Sequence, residues 1–173
     1  MEMDPEARRI RGYLVTQAAK LDVPELVEKL RRDVAAPLRE AAGRVPADRF
    51  HERPAEGEWS AAQVFTHVLE MTVHGDRAID AIVRGDRPPG VRDAIAGTVW
   101  GDLRTAEDYC RTFEELREPF YARVLLARGD EHLDVTLPHP TFGPLNWREW
   151  LLFMRIHDQS HIGQIEAIAD RFQ

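Results

Sequence analysis

Cysteine is nearly absent: Cys110 stands alone in 173 residues, so no internal disulfide can staple the fold, and a reducing cytoplasm is the simplest setting. Lysine is almost as scarce. Only Lys20 and Lys29 occur, so nearly every basic residue is arginine, which we read as the codon bias of a GC-rich genome. No basic run exists, and the net charge is −7 with a sequence pI near 5.5. Nucleic-acid binding leans on Lys and Arg against phosphate, so no nucleic-acid partner is expected. Long apolar runs are missing as well. The longest, such as Trp150 to Met154, fall far short of the roughly 20 residues that span a bilayer, so no membrane insertion is expected. The start, MEMDPEARRIRG, has no apolar core followed by a small-residue cleavage site and is not expected to act as a signal peptide. Repeats, low-complexity tracts and Gly-rich phosphate loops are all lacking. No alternating pattern is long enough for a sheet; Leu133 to Leu137 offers a short stub at most.

What the chain does have is 43% hydrophobic residues arranged at helical spacing, enough for one domain with a sizeable core. Pro and Gly clusters divide it into four long helical segments and a shorter one in front. Asp4-Pro5-Glu6 reads as a start: a capping side chain, then Pro at the first helical position. Asp22-Val23-Pro24-Glu25 restarts the chain with capping-box spacing, and Leu26, Leu30, Val34 and Leu38 follow at a helical period. These first two segments can be one bent helix. Ser60 and Gln63 form another box, with Trp59 and Val64 at the positions of a hydrophobic staple. Thr105 and Asp108 open a third long helix expected to reach about Arg128. Asn146 and Glu149 open the last, with Leu145 and Trp150 as its staple. The expected architecture is an all-α helix bundle.

The last helix carries the chemistry. Steps of three and four from Trp147 reach Trp150, Met154, His157, His161, Gln164 and Ile168, the positions that face a bundle seam. The seam is apolar at both ends and polar in its middle. A buried imidazole without a partner costs on the order of 1–3 kcal/mol, so two in succession call for a shared ligand. Residues four apart on a helix hold their Cβ atoms roughly 5–6 Å apart on one face, which lets two imidazoles converge on one cation. A third ligand from a facing helix is needed, and His67, on the apolar stripe of Val64, Val68 and Met71, is the candidate. For any one of these histidines alone, a hydrogen-bonded core role is the simpler reading. His74 shares the face of His67 but lies about 10 Å along the axis, too far for the same ion, and is expected in the core or at the rim. Glu70, one turn from His67, fits a fourth ligand, an acceptor from an imidazole N–H, or a solvated surface carboxylate equally well.

Other chemistries are excluded or demoted. His157-Asp158-Gln159-Ser160-His161 places Asp where a zinc peptidase of the H-E-x-x-H type has its general-base Glu, and too few residues follow for a downstream third ligand. Ser60 is a cap, so no Ser-based triad is visible. Cys110, beside Tyr109 and Phe113, reads as a buried, inert thiol.

Glu58-Trp59-Ser60-Ala61-Ala62-Gln63-Val64 with His67-Val68 resembles the W-S … V … H-L signature of the DinB superfamily. The stretch His139-Pro140-Thr141-Phe142-Gly143-Pro144-Leu145-Asn146-Trp147, through His157-x-x-x-His161-x-x-Gln164-Ile165, resembles that family's last helix and the loop before it. The likeness covers roughly residues 22 to 172. It divides the chain into an N-terminal helical extension (1–21) and a DinB-like four-helix-bundle domain (22–173). The resemblance implies a bundle with a long crossover, a homodimer, and a triad of His67, His157 and His161 holding zinc, nickel or iron. It further implies a transferase or isomerase using a low-molecular-weight thiol such as mycothiol or bacillithiol, the former favoured by a GC-rich genome. Glu70, His139, Phe142 and Trp147 are the expected contacts to a small-molecule substrate. A metal-stabilised binding protein without turnover and a metal hydrolase with an activated water are the competing expectations.

Overall fold

The computed structural model describes residues 3–98 and 100–173. They are mostly helical, with one small two-stranded sheet. Helix α1 (Pro5–Lys20) starts where Asp4 accepts from the amides of Glu6 and Ala7, at 2.9 and 3.0 Å. Helix α2 (Val23–Leu30) opens on the Asp22–Glu25 capping box, so the first two segments are separate helices and not one bent rod. The continuous rod lies further on. α2 passes through a π-turn at Arg31–Ala35 into α3 (Ala36–Arg44). Pro37 explains the widened turn: it has no N–H to donate, and its ring crowds the carbonyl of Asp33, one turn back.

Helix α4 (Ala61–Val83) and α6 (Ala106–Val124) begin at the Ser60–Gln63 and Thr105–Asp108 boxes. α6 stops short of the expected Arg128, and the chain turns through Gly129 with φ +102°. A short helix, α5 (Val91–Ile95), lies in the connection that precedes α6. The strand expected near Leu133 to Leu137 is displaced. Instead β1 (Leu137–His139) pairs antiparallel with β2 (Gly143–Leu145), Leu137 opposite Leu145. Helix α7 (Trp147–Arg171) then starts at the Asn146–Glu149 box. No helix among the described residues is long and apolar enough to cross a membrane.

α7 packs against α4, α3, α1 and α2, while α6 packs against α4 and α3. The core is split in two. One apolar cluster surrounds Trp147 to Met154 and takes in α1, α2 and the far ends of α4 and α6. The other surrounds Ile162 to Ala169 with α3 and the near ends of α4 and α6. Residues 157 to 161 lie between them, so the seam that reads apolar–polar–apolar in sequence becomes two apolar layers around a polar one. The N-terminal segment joins the first cluster through Ala7, Leu14 and Ala18. The Arg148 guanidinium ties it down by donating to the carbonyls of Ala18 (3.0 Å), Gly129 (2.6 Å) and Leu21.

Candidate metal centre

His157 and His161 leave α7 one turn apart, and His67 faces them from α4. The ring centroids of His67 and His157 are 5.0 Å apart, those of His67 and His161 4.9 Å, and those of His157 and His161 4.5 Å. One ring nitrogen from each lies within 4.8 Å of the other two, close enough for the three to hold one metal ion. Two nitrogens bound to a single zinc are about 3.3 Å apart, and Nε2 of His67 and Nε2 of His157 stand at 3.0 Å.

The chemistry of the donors fits a cation. His157 Nδ1 lies 3.1 Å from Asp158 Oδ1. A carboxylate paired with arginine can only accept, so the proton sits on Nδ1 and Nε2 presents its lone pair. His161 Nδ1 donates to Gln164 Oε1 at 2.9 Å, which again leaves Nε2 bare. Both α7 imidazoles are therefore held in the tautomer a metal requires, by partners on their own helix.

Asp158 is itself anchored from across the fold. It and Arg117 of α6 are 0% and 1% exposed, and Arg117 Nη2 donates to Asp158 Oδ2 at 2.6 Å. Arg117 Nε donates to Thr72 Oγ1 at 2.9 Å, and that hydroxyl donates in turn to the carbonyl of Val68. A buried ion pair thus stands directly behind a metal-ligand candidate, with α4, α6 and α7 all contributing. Sequence reasoning misses it. Asp158 reads there only as a failed general base, and Arg117 lies 41 positions away without a motif.

Burial, followed by the nearby His157 and His161 rings, pushes His67 down to about 4 from the ordinary 6.5. Burial also lowers His161. Between pH 6.5 and about 4 an unfolded chain binds a proton at His67 that the folded metal-free protein does not. Stability of the metal-free protein therefore falls as pH drops through that window. We expect the melting temperature of the chelator-treated protein to fall less between pH 6.5 and 4.5 in His67→Ala than in the parent, as followed by circular dichroism. Equal slopes would show that His67 is not the titrating group.

A cavity of about 550 Å³ opens beside the triad, walled by His161, Trp59, Gln164, Ile168, Glu58 and Arg171. Trp59 is 43% exposed, and its indole meets the edge of His67 with centroids 5.5 Å apart. The expected substrate contacts lie elsewhere. Trp147 is fully buried in the core, where its indole N–H donates to the carbonyl of Glu131. His139 Nδ1 accepts from the amides of Thr141 and Phe142, and its ring stacks on Phe142 at 4.5 Å, so it shapes the hairpin turn. Both rings contact Phe153, which lies 5.9 Å from His157. Glu70 is outside the metal-holding group. Two residues that line the cavity, Gln164 and Ile168, extend the histidine stripe read along α7, whereas nothing in the sequence brings Glu58 and Arg171 to it. His74 is buried against Trp150, and burial lowers it, in keeping with a core role. Cys110 is buried too, its thiol pushed up to about 11 by that burial, which keeps it inert at neutral pH.

A family model for the DinB superfamily matches residues 30–165. The chain belongs to the DinB superfamily. The match contains all three histidines together with Arg117 and Asp158. The uncharacterized protein YuaE of Bacillus subtilis (strain 168), a curated relative, is 24% identical over 141 residues, covering 73% of this chain and 86% of YuaE. No solved structure matches.

Proposed function

We propose that this DinB-superfamily protein is a metal-dependent transferase or isomerase that uses a low-molecular-weight thiol, its long helices forming the four-helix bundle of that family. One observation carries the reading. Three imidazoles gather beside an open cavity, and among the described residues no carboxylate or thiol joins them as a further ligand. Three protein ligands leave a tetrahedral zinc, or a larger nickel or iron shell, with room for an outside donor, whereas structural sites are closed. Among the described residues the only buried charges beside the triad, Arg117 and Asp158, cancel each other. A divalent cation there would be uncompensated, which favours an anionic donor from the substrate. The chemistry such a cation supplies when bound is loss of a thiol proton near neutral pH. The chain's own residues do the rest. Asp158 and Gln164 keep the imidazoles turned inward, Trp59 shields the His67 side, and the cavity admits a small molecule along His161.

The test is spectroscopic. In cobalt-loaded protein, adding 2-mercaptoethanol or a larger bacterial thiol should shift the visible absorption and introduce sulfur-to-cobalt charge transfer near neutral pH. A spectrum indifferent to every thiol would remove the thiol from the reading, and a water-activating metal hydrolase would take its place.

A further inference from the structure

The cavity has two ends of different chemistry. His161 forms the inner end. Arg171 and Glu58 form the outer end, where Arg171 Nη1 donates to Glu58 Oε2 at 2.5 Å. Between them run Ile168 of α7 and the exposed indole of Trp59. Ten residues separate His161 from Arg171, about 15 Å along a helix, so a molecule touching both is elongated. The volume suits a small metabolite.

We propose that the outer end is a subsite for a zwitterionic amino-acid group, Glu58 taking the ammonium and Arg171 the carboxylate, in a molecule whose other end reaches the histidines. The proposal rests on reading the triad as a metal centre. Charge pairing selects the class. A ligand with a carboxylate alone takes Arg171 from Glu58 and leaves Glu58 unmatched, and a ligand with an ammonium alone strands Arg171. A group bearing both charges on one carbon leaves all four matched, and its two charges are as close together as those of Glu58 and Arg171. Both side chains are half exposed, 47% and 48%, so they can turn to a ligand without a buried charge losing its partner. The apolar stretch between the two ends is walled by Trp59 and by Ile168, and suits an uncharged middle.

Zinc-loaded protein is titrated calorimetrically with three probes. S-methylglutathione keeps the zwitterionic γ-glutamyl end but has no free thiol. Its N-acetyl derivative lacks the ammonium, and its α-carboxamide lacks the carboxylate. S-methylglutathione should bind about three- to fivefold more tightly than either capped form, the strength of one half-exposed ion pair. Glu58→Gln should erase the advantage over the N-acetyl form and keep that over the amide; Arg171→Gln should do the reverse. Equal binding of the three probes, no binding of S-methylglutathione, or a uniform loss with all three probes in either variant overturns the subsite. These probes cannot offer a thiolate, so failure of the cobalt experiment with thiols leaves this outcome separately readable.

Discussion

Replacing His157 with alanine should strip the metal from the protein. The parent is expected to carry about one zinc or nickel ion per chain. His157→Ala, His161→Ala and His67→Ala should each fall below about a tenth of that, with affinity weakened at least about a hundredfold, since even outer-shell partners are worth ten- to hundredfold. His139→Ala serves as the control, because its ring is held in the hairpin turn and outside the triad. Elemental analysis of the four proteins gives the stoichiometry. Melting with and without chelator gives an independent measure, because an ion held at a thousand times its dissociation constant adds about 4 kcal/mol to folding stability. Chelator should lower the melting temperature of the parent and of His139→Ala and leave the triad variants where they are. Metal retained by all three triad variants would refute the site.

Asp158→Ala should be the most destabilising single change in the polar layer. It leaves the Arg117 guanidinium, 1% exposed, without its carboxylate. Breaking a buried pair from one side costs about 3–5 kcal/mol. For a chain of this size that is a fall of about 10 °C in melting temperature. Removing both charges at once separates stability from positioning. Arg117→Met with Asp158→Leu fills the space with apolar atoms and should recover most of the lost stability. It should still bind metal about ten- to a hundredfold more weakly than the parent, because nothing then accepts from His157 Nδ1 and the ring is free to turn. Full recovery of affinity together with stability would make the Arg117–Asp158 pair a packing element with no part in orienting the ligand.

What could be read in advance follows the range of the interactions. Five helix starts are readable because a cap lies within three residues of the amide it satisfies. Asp4, Asp22, Ser60, Thr105 and Asn146 all accept as their spacing predicts. The His157–His161 pair is readable because four residues make one helical turn. Helix ends and the hairpin are less so. The stop of α6 at Val124 and the pairing of Leu137 with Leu145 depend on neighbours that helical periodicity does not record. The substrate contacts expected at His139, Phe142 and Trp147 depend on where the loop before the last helix folds. The side chains at 139 and 147 turn to the hairpin turn and the core, and the cavity opens at the other end of the triad.

The sequence by itself determined where the helices begin, that one α7 face is polar in an apolar setting, and that a lone cysteine can form no internal disulfide. Tertiary structure alone decided that His67 meets His157 across 90 residues, that Arg117 stands behind Asp158, and that Trp59 and Arg171 share one cavity. The physical reason is distance along the chain. Capping and helical spacing are settled within a turn of backbone, whereas the Arg117 guanidinium that holds the Asp158 carboxylate against His157 comes near only when α6 packs against α4 and α3.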